Sequence, residues 1–131
     1  MIDIKEDLII AKLARSNSRC ECSRYSIGVV LNCKNGKKYS GCNIENDGIQ
    51  SICGERVAFS KAISEGEKEF DSILVIGGKK DSSNLEKCLP CGYCRQFMSQ
   101  FVEKDFKIYT AFDNKVEEYT MEELLPYQFH L

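Results

Sequence analysis

The sequence predicts an α/β sandwich. Three observations point there. Helical and extended patterns alternate along the chain, the extended patterns include short apolar runs of strand length, and no repeat, low-complexity run or linker divides the chain. The 131 residues, 43% hydrophobic and 29% charged, fit one compact domain over 1–131 with a real core.

The elements follow in order. Ile4, Leu8 and Ala11, with their neighbours Ile9 and Leu13, recur near helical spacing, so an amphipathic helix that serves packing is expected over Lys5–Ser16. Tyr25–Leu31 reads as a buried strand. Asn35-Gly36 is a two-residue hairpin signal, with Lys37–Cys42 returning as the partner strand. From Cys53 the residues Ala58, Phe59, Ala62 and Ile63 share one face of a helix that stops at Gly66, which puts Cys53 at the helix N-terminus. Ser72–Ile76 is a short apolar strand ending at Gly77-Gly78, and a second helix after Pro90 carries Cys94, Phe97, Met98 and Phe101. Lys107–Thr110 and Val116–Tyr119 are further strands, and Met121–Leu125 is a last helical turn before Pro126.

Charge and composition exclude several classes of function. A net charge of −2 offers no broad basic field for a phosphate backbone, so no nucleic-acid partner is expected. The N-terminal stretch Met1–Asp7 is acidic and lacks the basic and apolar regions of a signal peptide. No apolar run approaches a membrane span, so the expected location is the cytoplasm, away from membranes. The only histidine, His130, is the penultimate residue, which excludes histidine-dependent triads.

Eight cysteines could pair as four disulfides in an oxidising compartment, but the cytosolic reading favours reduced thiols that are either buried small hydrophobes or metal ligands. Only Cys88, Cys91 and Cys94 have ligand-like spacing. Either Cys88/Cys91 or Cys91/Cys94 could be the close pair; Pro90 and the apolar helix after it favour the second. Cys53, Cys91 and Cys94 then supply three thiolates, leaving the fourth position of a tetrahedral Zn²⁺ open for water, as in a catalytic site. Adding Cys88 would close the site and leave it structural. Cys20 and Cys22 are one residue apart, a less common chelate, and Cys33 and Cys42 fall at sheet positions; all four read as structural thiols.

Glu55 stands two residues after Cys53. A glutamate in the first turn of a helix is also what the macrodipole favours, but an open metal position needs a proton carrier, and Glu55 is placed to be one. Three thiolates on Zn²⁺ make an anionic cluster, so two helix N-termini and a nearby cation should withdraw charge from it. Arg56 is the candidate cation, against the alternative of an ordinary surface arginine.

Cys53-Gly54-Glu55 with Pro90-Cys91-Gly92-Tyr93-Cys94-Arg95-Gln96 resembles the zinc-dependent cytidine deaminases of the small, three-cysteine type. Gly41–Asn46 looks like the family's ribose-binding strand end, and Glu122–Pro126 with Phe129 like its C-terminal segment, so the resemblance runs over nearly the whole chain. It implies a three-layer α-β-α sandwich around a mixed sheet of about five strands, one Zn²⁺ per subunit on Cys53, Cys91 and Cys94, and Glu55 as proton shuttle. The implied reaction is hydrolytic deamination of cytidine and 2′-deoxycytidine by zinc-activated water attacking C4. Asn43 and Glu45 would hold the sugar hydroxyls, with a capped strand end as their plainer reading. Phe129 would reach the base in a neighbouring subunit of a homotetramer with shared active sites.

Several positions depart from the family pattern. Residues 46–52 replace the usual small residues and aromatic in a slightly short loop, Gly54 stands for the usual alanine, and Tyr25 for a phenylalanine beside the pyrimidine, where it can still stack on the base. The related blasticidin-S deaminase branch shares that tyrosine and lacks the ribose-binding glutamate, so Glu45 favours nucleosides over blasticidin-like substrates. A zinc-stabilised binding module without turnover is the alternative from another class.

Overall fold

The computed structural model describes residues 3–131; Met1 and Ile2, part of the acidic N-terminal stretch, lie outside the described residues. Helix α1 (Ile4–Ser16) starts at Asp3, whose side chain accepts the Glu6 N–H at 3.2 Å and so satisfies one of the free donors of the first turn. Strands β1 (Tyr25–Cys33) and β2 (Lys38–Cys42), helix α2 (Gly54–Ser64), strand β3 (Phe70–Lys79), helix α3 (Gly92–Ser99), strands β4 (Lys107–Phe112) and β5 (Lys115–Thr120), and helix α4 (Met121–Leu124) follow. The strands form one sheet in the order β2-β1-β3-β4-β5, with β3 and β4 parallel and the other neighbours antiparallel. This is the mixed five-stranded sheet expected.

The strand period of two divides the core. Val29, Leu31, Ile73, Val75 and Ile108 face one side, where they pack with Ala58, Phe59 and Ala62 of α2, Met98 of α3 and Met121 of α4. Val30, Leu74 and Ile76 face the other and meet Ala11 of α1. Helices therefore cover both faces, which is why β1 and β3 read as nearly unbroken apolar runs. Among the described residues, no helix is long and apolar enough to cross a membrane.

The structure corrects four details. Ile9 and Leu13 of α1 are exposed, while Asp7 and Ala11 are buried. The cause is close approach: a Cβ on Gly28 of β1 would stand 2.0 Å from the Ala11 carbonyl oxygen, so the helix touches the sheet through small residues and turns the larger ones out. Asp7 is buried because it is fully partnered: Lys38 Nζ and Asn32 Nδ2 each donate to it at 2.7 Å, and Lys38 also bonds Asn32 Oδ1 at 2.6 Å. Ile63 of α2 is 37% exposed, and Phe101 lies past the end of α3, although its ring still stands 5.1 Å from that of Phe97.

The hairpins supply the fourth correction. Asn35-Gly36 is not a type I′ turn, which needs positive φ at both central residues; only Gly36 has it, and the connection between β1 and β2 is wider. Asp113 and Asn114, with φ of 50° and 60°, make that tight turn instead, between the paired residues Phe112 and Lys115. Gly28→Ala is expected to destabilise the fold by about 2 kcal/mol or more, because the Ala11 carbonyl is backbone and cannot swing aside. An unchanged midpoint in urea unfolding would contradict the close α1–sheet contact.

Candidate active site

One end of the sheet gathers the chemistry. The antiparallel pairing of β1 with β2 and β3 brings the start of β1, the end of β2 and the end of β3 together, with Tyr25 opposite Lys79 and Gly28 opposite Cys42. Cys53 is the N-cap of α2 and Cys91 the N-cap of α3, and Cys94 lies in the first turn of α3. Neither cap residue caps its helix through its side chain, so both thiols are free for another partner at the positive ends of two helices. Gly41 permits this convergence. A Cβ there would meet the Gly54 carbonyl oxygen at 2.5 Å, so a larger residue would push the start of α2 away from β2. Gly54 is buried against the Cys42 backbone and Val29.

The ligand atoms of Cys53, Cys91 and Cys94 all lie within 4.8 Å of one another, and the Cys53 and Cys91 sulfurs are 3.9 Å apart. Zinc–sulfur bonds of about 2.3 Å in a tetrahedron set sulfurs about 3.8 Å apart, so the group fits one zinc ion. Cys88 is not part of the group. It is buried beside Tyr25 and Gly77, and burial pushes its thiol up to about 12. All eight cysteines are free thiols; Cys20 and Cys33 are buried, Cys42 half-buried and Cys22 exposed.

Glu55, in the first turn of α2, is only 3% exposed, and its Oε1 has no hydrogen-bond partner. Burial, followed by the Cys53 charge, pushes the carboxyl up to about 7. A buried carboxylate oxygen left unpaired is costly unless something else occupies it, and this one lies close enough to the sulfurs to feel their charge. Cys53 is drawn below the ordinary thiol range, first by a hydrogen bond with Cys94, against burial, and with help from Arg56 and Cys91; Cys94 is raised by the same hydrogen bond and by burial. Arg56 Nη2 stands 3.8 Å from Cys53 Sγ and 3.3 Å from the Ser51 carbonyl oxygen.

The structure places the residues expected to meet the sugar as follows. Asn43 is buried and largely committed to the protein: its Oδ1 accepts from Ser18 Oγ and from the Ile27 N–H at 2.9 Å, and its Nδ2 donates to the Tyr25 carbonyl at 2.8 Å. One N–H of the amide is left over. Glu45 Oε1 accepts the Cys22 and Ser23 N–H groups, both at 3.0 Å, which leaves Oε2 outside that pair. Burial works to raise the Glu45 carboxyl and is outweighed by hydrogen bonds from Ser23 and Cys22, so it is lowered. Tyr25 is half-buried; burial and then the Cys88 thiol push its phenol up to about 12. Phe129 is 63% exposed and lies outside the cysteine group, its carbonyl held by Gln96 and Gln100 at 3.1 and 3.2 Å.

Two residues of the quoted signature were given no role in the sequence. Tyr93 stacks on Arg56, and Arg95 ties the cysteine loop to α4 by donating to the Pro90 and Leu124 carbonyls at 2.7 and 2.9 Å. Their signal was adjacency to Cys94, which does not say what either touches.

Fold and cluster together define a class: an α/β sandwich with a three-cysteine group that fits a metal ion at two helix ends and a buried carboxyl beside it. Comparison with known proteins agrees. The family described as "Cytidine and deoxycytidylate deaminase zinc-binding region" matches residues 3–110. A cytidine deaminase of Sporosarcina psychrophila is 32% identical over 130 residues, covering 98% of this chain and 92% of that protein. A blasticidin-S deaminase of Bacillus cereus is 27% identical over 113 residues, covering 83% and 80%. The crystal structure of a cytidine deaminase from Burkholderia pseudomallei superposes with a TM-score of 0.85 at 28% identity, covering 98% of this chain and all of that one. The chain belongs to the zinc-binding cytidine and deoxycytidylate deaminase family.

Protein purified from a zinc-containing medium is expected to carry one zinc per chain, and Cys91→Ala to lose most of it. Metal analysis by inductively coupled plasma mass spectrometry checks this. Unchanged zinc in the variant would refute Cys91 as a ligand.

Proposed function

We propose that the protein is a zinc-dependent hydrolase that converts cytidine and 2′-deoxycytidine to uridine and 2′-deoxyuridine, with Cys53, Cys91 and Cys94 as the zinc ligands and Glu55 as the proton carrier. The observation that carries this reading is Glu55: a buried carboxyl with an unpartnered oxygen beside three converging thiols. A structural zinc site has no use for such a group, which argues against a binding module without turnover. The cytosine nucleoside comes from the names of the relatives, among them the S. psychrophila enzyme.

Zinc, when bound, supplies Lewis acidity that makes water a nucleophile near neutral pH. Glu55 takes one proton of the water that bonds to C4 and delivers it to N3 of the ring, then carries the remaining hydroxyl proton to the C4 amine as the C4–N bond breaks and the C4 carbonyl forms, so that water and nucleoside yield a uracil nucleoside and ammonia. Its burial keeps bulk water from competing for that proton. Arg56 draws charge from the Cys53 sulfur, which counters the excess negative charge of three thiolates. Glu45 offers Oε2 to a sugar hydroxyl, and Asn43 its remaining N–H; both are fixed by the bonds that hold their other atoms. Tyr25 borders the same end of the sheet as a wall for the base. Gly54 lets the start of α2 sit tight beneath the site.

The working unit is a homotetramer with shared active sites in this reading. Support comes from Phe129, whose ring is exposed while its backbone is anchored, as a side chain offered to a neighbouring copy would be. The single domain spans 1–131 and acts in the cytoplasm, in keeping with eight unpaired cysteines.

The test is ammonia release from cytidine, 2′-deoxycytidine, cytosine, adenosine and blasticidin S. Turnover of the two cytosine nucleosides is expected, with Glu55→Gln lowering kcat by about 10²- to 10⁴-fold while zinc stays bound. Activity on blasticidin S alone would move the protein to the branch of its B. cereus relative, and full activity of Glu55→Gln would refute the proton-carrier role.

A further inference from the structure

Tyr93 stands between Cys91 and Cys94 in the first turn of α3 and is 70% exposed. The centre of the Arg56 guanidinium lies over its ring, 4.4 Å from the centroid. Arg56 belongs to the first turn of α2, so this stack bridges the two helices whose N-caps are Cys53 and Cys91. The guanidinium also bonds the sulfurs themselves, Nη2 standing 3.8 Å from Cys53 Sγ and Cys94 being a second partner. Its contact with the Ser51 carbonyl, at 3.3 Å, is long for a hydrogen bond, and Arg56 Nε is buried without a hydrogen-bond partner. A long side chain with many rotamers is held less firmly by these contacts alone than with a ring against its guanidinium.

The negative face of an aromatic ring attracts a guanidinium and also fixes its plane. The zinc-loaded cluster proposed above is anionic, so a cation fixed beside the sulfurs favours the loaded state. We infer that Tyr93 is a positioning residue: its ring pins the Arg56 guanidinium against the Cys53 sulfur and thereby slows loss of zinc from the cluster. This rests on the proposed zinc site.

Zinc release into excess 4-(2-pyridylazo)resorcinol tests it on the zinc-loaded, full-length protein. Tyr93→Leu is expected to release zinc about two- to five-fold faster, the range a partly exposed cation–π contact supports. Tyr93→Phe, which keeps the ring, should release it at the wild-type rate. In an Arg56→Gln background, Tyr93→Leu should add nothing. A wild-type rate in Tyr93→Leu, a fast rate in Tyr93→Phe, or an equal acceleration with Arg56 already replaced would each overturn the inference while leaving the zinc site in place. Wild-type protein that holds no zinc would instead overturn the site reading, and this inference with it.

Discussion

Two helices begin at one point. That convergence is the constraint on which the rest of the structure depends, because it brings Cys53 to Cys91 and Cys94, a pair distant from it in sequence, in one cluster facing free N–H groups. It is set by backbone contacts. Gly41 lets α2 start against the end of β2, and the crossover from β3 through α3 to the parallel β4 delivers Cys91 to the same end of the sheet. The core beneath, with Phe59 of α2 and Phe97 of α3 6.5 Å apart, fixes how the two helices approach each other. Metal geometry is thus prepared by packing.

Charge follows from this placement. Negative charge gains from helix N-termini, while burial, and after it the Cys53 charge, raises the Glu55 carboxyl. Arg56 sets a positive charge beside Cys53, and its guanidinium lies over the Tyr93 ring. Glu55 leaves one oxygen unsatisfied inside the protein, and Arg56 beside it likewise leaves its Nε without a hydrogen-bond partner. Asn43 and Glu45, by contrast, spend most of their bonding capacity on the chain, and only what remains is available to a ligand.

The sequence made the architecture legible where periodicity was strong. Buried strands such as β1 and β3 stand out as apolar runs, and the cysteine spacing marked both helix starts because helix periodicity resumes immediately after Cys53 and Pro90. Periodicity failed where small residues made the contact. In α1 the pattern put Ile9 and Leu13 with the packing residues, whereas Ala11 against Gly28 decides which side faces the sheet, and Asp7 is buried only because Asn32 and Lys38, distant in sequence, complete its hydrogen bonds. Asn-Gly is the commoner signal for a tight hairpin, yet Asp113-Asn114 took that turn. Within the site, a motif names the groups at the metal but not their neighbours: the Arg56–Tyr93 stack and the internal bonds of Asn43 depend on side-chain directions that spacing does not encode.

The central claim is an open coordination site built from three cysteines, and zinc K-edge X-ray absorption of the loaded protein tests it most directly. The account predicts three sulfur neighbours at about 2.3 Å and one lighter atom in the first shell. Four sulfur neighbours would contradict it, because a closed thiolate site leaves no position for water and no task for Glu55.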